Sequence, residues 1–134
     1  MNGPFLVQDW LTLKGKRPTG QTAVTLYPHR DSWVSTANTL SLTLSIEVKN
    51  VKATTHTTAT PPALRIETAV CDVGPWTTVG TYTAVGNSTL NLNPGGGSPL
   101  LLQYLRWAVD NNTGVDGDEW EICFRIVGMR VDFA

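Results

Sequence analysis

The chain has 134 residues and a formal net charge of -1, from 10 basic and 11 acidic side chains that are scattered along it. A chain of this length fits one domain that buries about two thirds of its unfolded surface, so a core can form without metals or disulfides. The near-neutral charge excludes the electrostatic footprint of a polyanion-binding protein, and we expect no nucleic acid as a partner.

Membrane spans and leader sequences are not expected. No apolar run approaches the roughly 20 residues that span a bilayer, and residues 1–8 lack the basic and apolar regions of a signal peptide. The two cysteines, Cys71 and Cys123, fit no zinc or CxxC spacing. We interpret them as a reduced pair in a soluble protein made in a cytoplasm, with a cross-strand disulfide as the alternative if their strands meet.

Composition predicts the fold class. Threonine- and valine-rich runs are separated by glycine, proline and asparagine, whereas glutamate and lysine are sparse. We predict an all-β chain that folds as an antiparallel two-layer β-sandwich, jelly-roll-like, with about eight to ten strands. The sandwich is one domain over residues 1–134, with residues 1–22 as a peripheral strand or an arm that packs on a neighbouring subunit.

The first half of the chain contains the clearest strand. A short strand at 22–26 and a turn at 27–32 lead to Thr39–Val48, where apolar and polar residues alternate through five pairs. This pattern indicates one face in the core and one in water. A threonine-rich surface loop over 53–62 and a strand over 63–71 follow.

The second half predicts a hairpin and a final strand pair. Gly86-Asn87 suits a tight turn between strands at 76–85 and 88–92, and residues 93–99 form a flexible connector rather than a phosphate loop. Apolar runs at 100–109 and 120–133 form the last pair. In the second run the apolar face changes from even to odd positions at Gly128, which predicts a bulge or a sheet-switching bend there.

The connector at 110–119 is the most suggestive stretch for a metal. Oxygen ligands at alternate positions suit calcium, and Asp110, Asn112, Asp116 and Asp118 are the candidates. Val115 stands where an EF-hand loop needs glycine, and the same residue types form ordinary hairpin loops. We therefore favour a plain turn, with no metal and no cofactor.

No catalytic constellation is visible. His29, beside Arg30 and Asp31, has no second histidine or nucleophile near it in the sequence. Paired histidines, a nucleophile elbow and a cysteine–histidine pattern are also lacking in the sequence. We expect a non-enzymatic protein.

Aromatic residues beside turns are the candidate partner-binding residues. Tryptophan is buried by default, but an exposed ring is a rigid anchor at an interface. We expect the contact residues to be Phe5, Leu6, Trp10, Trp33 and Trp76. The alternative function is a carbohydrate-binding module, which would need two or three of the tryptophans coplanar and exposed.

The C-terminal strands carry a family resemblance. The segment Tyr104-Leu105-Arg106-Trp107-Ala108-Val109, followed by a polar loop and Trp120-Glu121-Ile122-Cys123-Phe124-Arg125-Ile126, resembles the closing strands of small β-sandwich structural proteins from tailed bacteriophage virions. The resemblance covers the chain from residue 100 onward. It implies a capsid decoration protein of the virion, made in the host cytoplasm, with no catalytic residues. Its partner would be a protein lattice such as a major capsid protein, and it would be a homo-oligomer, for instance a trimer.

Overall fold

The computed structural model describes residues 3–16, 24–53, 62–93, 101–111 and 119–133, and it is built almost wholly of strands. The predicted loops over 53–62, 93–99 and 110–119 lie mostly outside the described residues, which leave out 54–61, 94–100 and 112–118. The strands are β1 (Gly3–Lys16), β2 (Val24–Leu26), β3 (Val34–Ser35), β4 (Thr39–Ala53), β5 (Ala63–Ala69), β6 (Thr77–Tyr82), β7 (Gly86–Leu92), β8 (Tyr104–Asn111) and β9 (Glu119–Asp132), with one 3-10 turn at Arg30–Ser32.

Two antiparallel sheets form the sandwich. Sheet A has the strand order β1-β9-β4-β7, and sheet B has the order β2-β8-β5-β6, with β3 also paired to β8. Because β2 and β3 pair with opposite ends of β8, they are two halves of one edge strand interrupted by residues 27–33. The first strand pairs with the last, and the chain passes back and forth between the sheets, as in a double-sheet jelly roll. The predicted fold class is confirmed.

The core lies between the sheets and is supplied by alternate residues. In β4, Leu42, Leu44, Ile46 and Val48 are at most 4% exposed, and each contributes about 1.5–3 kcal/mol relative to an exposed side chain. Leu40 departs from the predicted alternation, since it is 46% exposed. It is the extra residue between Thr39 and Ser41, whose partners are neighbours on β9, so a bulge turns it outward.

The prediction of a bulge at Gly128 is wrong. The even-numbered residues of β9 face the core from Trp120 to Gly128, and β4 pairs with β9 without interruption from Phe124 to Arg130. Because the alternation of β9 continues unbroken, the apolar residues at the odd positions after Gly128 face outward, and the ring of Phe5 occupies the inner side at Gly128. The register shifts fall instead in the neighbouring strands β1 and β4.

The predicted hairpin around Gly86-Asn87 is also wrong. β6 pairs with β5 in sheet B, whereas β7 pairs with β4 in sheet A. Gly86 and Asn87 already belong to β7, opposite Val48 and Glu47. Residues 83–85 therefore carry the chain from one sheet to the other, which a local turn signal does not distinguish from a hairpin.

The two cysteines are free thiols on different sheets. Cys71 follows β5, and its Sγ donates to Gly74 O at 3.0 Å. Cys123 lies on β9 and pairs with Thr12 and Asn50 in the register of sheet A. The strands that carry or precede them belong to different sheets, so the condition for the alternative cross-strand disulfide, that these strands meet, is not fulfilled.

A part-buried hydrogen bond joins the two layers. The register shift in β1 between Leu6 and Gln8 turns both Val7 and Gln8 inward. The indole Nε1 of Trp107, a residue only 4% exposed, donates to Gln8 Oε1 at 3.0 Å. The amide thus satisfies the one polar group of a core tryptophan.

Replacing Gln8 with leucine is expected to lower the free energy of unfolding by about 1–3 kcal/mol, because the Trp107 indole N–H is left buried without an acceptor. Chemical denaturation monitored by circular dichroism measures the change. Thr12→Leu is the matched control, since Thr12 is exposed on the same strand. A loss no larger than that of the control would mean that the bond does not form in solution.

Candidate functional site

The outer face of sheet A carries a contiguous apolar surface along β1 and β9. Leu6 pairs with Val127, and Pro4 pairs with Met129. Val131 continues the same face of β9. We call these five residues the apolar strip.

The strip is open to solvent in the isolated chain. Leu6 is 55% exposed, Met129 50% and Val131 37%. Leu40 and Phe133 are also exposed, the first in the bulge beside the pairs of Val131 and Asp132 and the second directly after β9. Scattered exposed apolar residues need no explanation, whereas a contiguous group on one face marks an interaction surface.

The β4–β7 half of the same face is polar. Beside the strip, the outward residues of β4 and β7 form cross-strand pairs: Thr43 with Asn91, and Ser45 with Thr89. Thr43 Oγ1 donates to Asn91 Oδ1 at 3.0 Å. At this end of sheet A the outer face is therefore apolar along β1 and β9 and rich in hydroxyl and amide groups along β4 and β7.

Trp10 lies further along β1, beside two cations. Its ring is 4.9 Å from Arg125 Cζ and 5.7 Å from Lys49 Nζ, and Trp10 is 43% exposed. Arg125 Nη2 donates to Glu47 Oε1 at 2.8 Å. Such contacts are worth about 0.5–1 kcal/mol each at exposed sites, so they orient the ring and leave much of it accessible.

A charged groove of about 450 Å³ lies at the other end of sheet A. Its lining residues, from β1, β4 and β9, are Lys14, Gly15, Lys16, Lys52, Glu119, Trp120 and Glu121. Glu121 receives a hydrogen bond of 2.5 Å from Asn50 and lies 4.0 Å from Lys52 Nζ. Lysines and glutamates face each other across the strands, so the groove is a cross-strand ladder of nearly balanced charge.

The outer face of sheet B contains a buried ion pair. Glu67 and Arg106 are directly opposite each other on β5 and β8, and Arg106 Nε donates to Glu67 Oε1 at 3.0 Å. Glu67 is 5% exposed and Arg106 9%. Arg65 extends the network, with Nη2 3.7 Å from Glu67 Oε2 and Nε 3.2 Å from Asp110 Oδ2. The four charges cancel, as buried charges require.

Three aromatic rings cover this ion pair. The centroids of Tyr27 and Trp76 both lie 3.9 Å from Arg106 Cζ, and that of Trp33 lies 5.0 Å from it. Trp33 meets Trp76 edge to face, with centroids 4.9 Å apart and an interplanar angle of 75°. We call Arg106, Glu67 and the three rings the arginine clamp.

Two loops deliver these rings. Trp33 follows the 3-10 turn, and its Nε1 donates to Pro28 O at 3.3 Å. His29 Nδ1 accepts from the backbone N–H of Asp31, which caps the turn. An ion pair between Arg30 and Asp72 joins this loop to the turn that precedes Trp76. The segment that interrupts the edge strand of sheet B is thus fixed over Arg106.

The structure divides the candidate partner-binding residues between two sheets. Leu6 and Trp10 are exposed on sheet A, whereas Phe5 points inward onto Gly128. Trp33 and Trp76 lie together in the arginine clamp, and their nearly perpendicular rings do not form a coplanar stacking platform.

Of the candidate calcium ligands, only Asp110 is described. Its Oδ1 accepts from Thr25 Oγ1 at 2.7 Å, and Oδ2 faces Arg65. Asn112, Asp116 and Asp118 lie outside the described residues. Within the described ranges, no group of three or more His, Cys, Asp or Glu side chains is arranged to hold a metal.

Sequence reasoning missed Met129 and Val131 because it assigned them to the core. Continuing the even-numbered alternation of β9 through Gly128 would have placed both outside. Arg106 and Glu67 were missed because the signal for them, a charged residue on the non-core face of each strand, is common to most exposed strands.

In the part of the chain that the structure describes, no helix has the length and apolar character to cross a bilayer.

No protein-family model and no curated protein sequence matches the chain. Two chains from solved structures of infectious bursal disease virus match it, each with 12% identity and a TM-score of 0.44. The match to the Gx strain covers 96% of this chain and 31% of that chain; for the Gt strain the values are 98% and 33%. The chain spans about a third of the length of those chains, and a likeness at this TM-score assigns no function to it. The resemblance to tailed-bacteriophage proteins stays a prediction.

Proposed function

We propose that this chain is a non-enzymatic structural protein of a virion, which decorates and stabilises a symmetric lattice such as a shell of major capsid protein. The observation that carries the proposal is the apolar strip. Its side chains belong to hydrogen-bonded strands, so burying them against a partner orders little additional chain. A contiguous apolar face of this kind suits a protein surface of complementary shape.

The topology supports this proposal but does not decide it. Double-sheet jelly rolls occur in viral capsid, lectin and cupin domains, and a fold by itself does not specify function. A carbohydrate module would need exposed coplanar rings, whereas Trp33 and Trp76 are perpendicular and packed on Arg106. A glycan array with wild type and Trp10→Ala tests that alternative on the remaining exposed tryptophan.

The edge of sheet A favours contact through side chains over addition of a strand. β1 is an edge strand of 14 residues, and long edges invite strand addition. However, β1 carries Pro4 near its start and register shifts between Leu6 and Leu11. Prolines and bulges are the devices that block edge pairing. We therefore place the lattice contact on the face of the sheet.

The test is co-sedimentation with capsids assembled without this chain. Wild type is expected to pellet with the capsids, and Met129→Glu to bind about ten-fold more weakly or less, because a carboxylate is forced into an apolar contact. Met129 is half exposed, so the variant should melt close to wild type.

Thr89→Glu is the matched control, because it adds the same charge to an exposed position on the polar half of the same face. It should bind like wild type. Light scattering at micromolar concentration tests the expected homo-oligomer in the same samples. A strict monomer that stays in the supernatant, or equal losses for the two variants, would contradict the proposal.

A further inference from the structure

The guanidinium of Arg106 is held more rigidly than an ordinary surface arginine. The ring centroids of Tyr27 and Trp76 lie 3.9 Å from Arg106 Cζ, and Arg106 Nε donates to Glu67 Oε1. Contacts with two rings and a carboxylate fix the position of the planar group. The entropy that an arginine usually loses on binding is therefore already lost on folding.

The terminal edge of this guanidinium is unused. Within the described residues, the hydrogen bond of Arg106 is made by Nε, and Nη1 and Nη2 donate to no acceptor. Among the described residues, the side-chain atoms that are buried without a hydrogen bond are Thr39 Oγ1, Arg65 Nε and Arg125 Nε. Nη1 and Nη2 are not among them, so solvent reaches this edge of a residue that is otherwise nine-tenths buried.

We propose that the Nη edge of Arg106 is a docking site for a carboxylate, supplied by an acidic side chain of a protein partner. A planar fork of N–H donors matches a carboxylate in two parallel hydrogen bonds. The charges of Arg65, Glu67, Asp110 and Arg106 balance, so the site has little long-range attraction for a polyanion and recognises its ligand by geometry. Exposed apolar groups in the surrounding loops, Tyr27 at 47% and Val73 at 82%, suit the remainder of a protein contact.

This site is independent of the proposed lattice contact, because it lies on the opposite sheet from the apolar strip. Met129→Glu should leave it unchanged, and its loss should leave capsid co-sedimentation through the strip unchanged. The failure of one proposal is thus distinguishable from the failure of the other.

Sodium acetate is the probe, titrated into the full chain with sodium chloride at equal ionic strength as the reference. Nuclear magnetic resonance follows the Arg106 Nε–H and the indole N–H groups of Trp33 and Trp76. We expect saturable shifts with a dissociation constant on the order of 10 mM, the range of one bidentate charge-assisted pair. Shifts that do not saturate, or that chloride reproduces, would overturn the proposal. Tighter saturation by inorganic phosphate would overturn its assignment to a carboxylate.

Three variants locate the binding. Arg106→Lys keeps the charge but loses the fork, and should weaken acetate binding about ten-fold or more. Tyr27→Leu removes one stacked ring at a half-exposed position and retains the pair with Glu67, so it should fold and bind several-fold more weakly. Arg125→Lys is the control, an arginine beside Trp10 on the opposite sheet, and should bind as wild type does. Equal binding by wild type and Tyr27→Leu, or a loss with Arg125→Lys, would place the acetate elsewhere.

Discussion

Replacing Glu67 with alanine is expected to lower the free energy of unfolding by about 3–5 kcal/mol, the range for breaking a buried ion pair by removal of one partner. Glu67 is 5% exposed, and Arg106, its partner at 3.0 Å, also lies 3.9 Å from the ring centroids of Tyr27 and Trp76, contacts that the substitution does not remove. The loss arises because the arginine stays buried while its compensating charge is gone. Equilibrium unfolding in urea, followed by far-ultraviolet circular dichroism, measures it.

Glu47→Ala is the matched control. Glu47 also accepts from an arginine, Arg125, at 2.8 Å, but their side chains are 28% and 34% exposed, so its removal should cost about 1 kcal/mol or less. The double variant Glu67→Leu with Arg106→Met should be more stable than Glu67→Ala alone, since it removes both buried charges together. A Glu67→Ala loss equal to that of Glu47→Ala would show that water reaches the ion pair.

The predictions that succeeded rest on local patterns, in which the alternation of apolar and polar residues allows only one face of a strand to be buried. The alternation in β4 has five apolar positions in phase, so only one face can be buried, and its bulged residue Leu40 alone escapes the rule. The sandwich and jelly-roll prediction follows from many such short strands. Both are properties of adjacent residues, which a sequence displays directly.

The predictions that failed depend on which distant strand lies alongside. Residues 127–133 are apolar at odd positions, and only the unbroken pairing of β9 with β4 shows that those positions face outward. Residues 76–92 have the composition of a hairpin, and only the pairing of β7 with β4 shows that the chain changes sheets there. Periodicity gives two faces but does not say which is covered.

The candidate site was predictable in part for the same reason. Leu6 and Trp10 stand on a strand without a clean apolar face, and the exposure of both is consistent with that pattern. Trp33 and Trp76 are far apart in sequence, and Arg106 is further still. Their meeting depends on two loops that fold over the outer face of sheet B, which no spacing in the sequence encodes.

Gly128→Ala is expected to lower the free energy of unfolding by about 1–3 kcal/mol or more, the range for overpacking a core. A Cβ at Gly128 would lie 2.5 Å from Phe5 Cε1 and 2.6 Å from Cζ. Gly128 is not among the glycines with positive φ, so alanine tolerates its backbone and would otherwise favour the strand by removing freedom from the unfolded chain. The close approach of the Phe5 ring is thus the reason for glycine at this position. The apolar pattern of the sequence had instead predicted a bulge at Gly128.

A double-mutant cycle with Phe5→Ala separates the two causes. If the ring is the obstacle, Gly128→Ala in the Phe5→Ala background should cost nothing or stabilise slightly, with a coupling of about 1–3 kcal/mol. Gly86→Ala is the contrasting control, since Gly86 has a φ of +154° and nothing within 4 Å of its Cβ position. Its cost comes from the backbone and should be the same in both backgrounds. If Gly128→Ala costs as much in the Phe5→Ala background as in wild type, the cost arises from the backbone at Gly128. The contact between the Phe5 ring and Gly128 would then not explain the glycine.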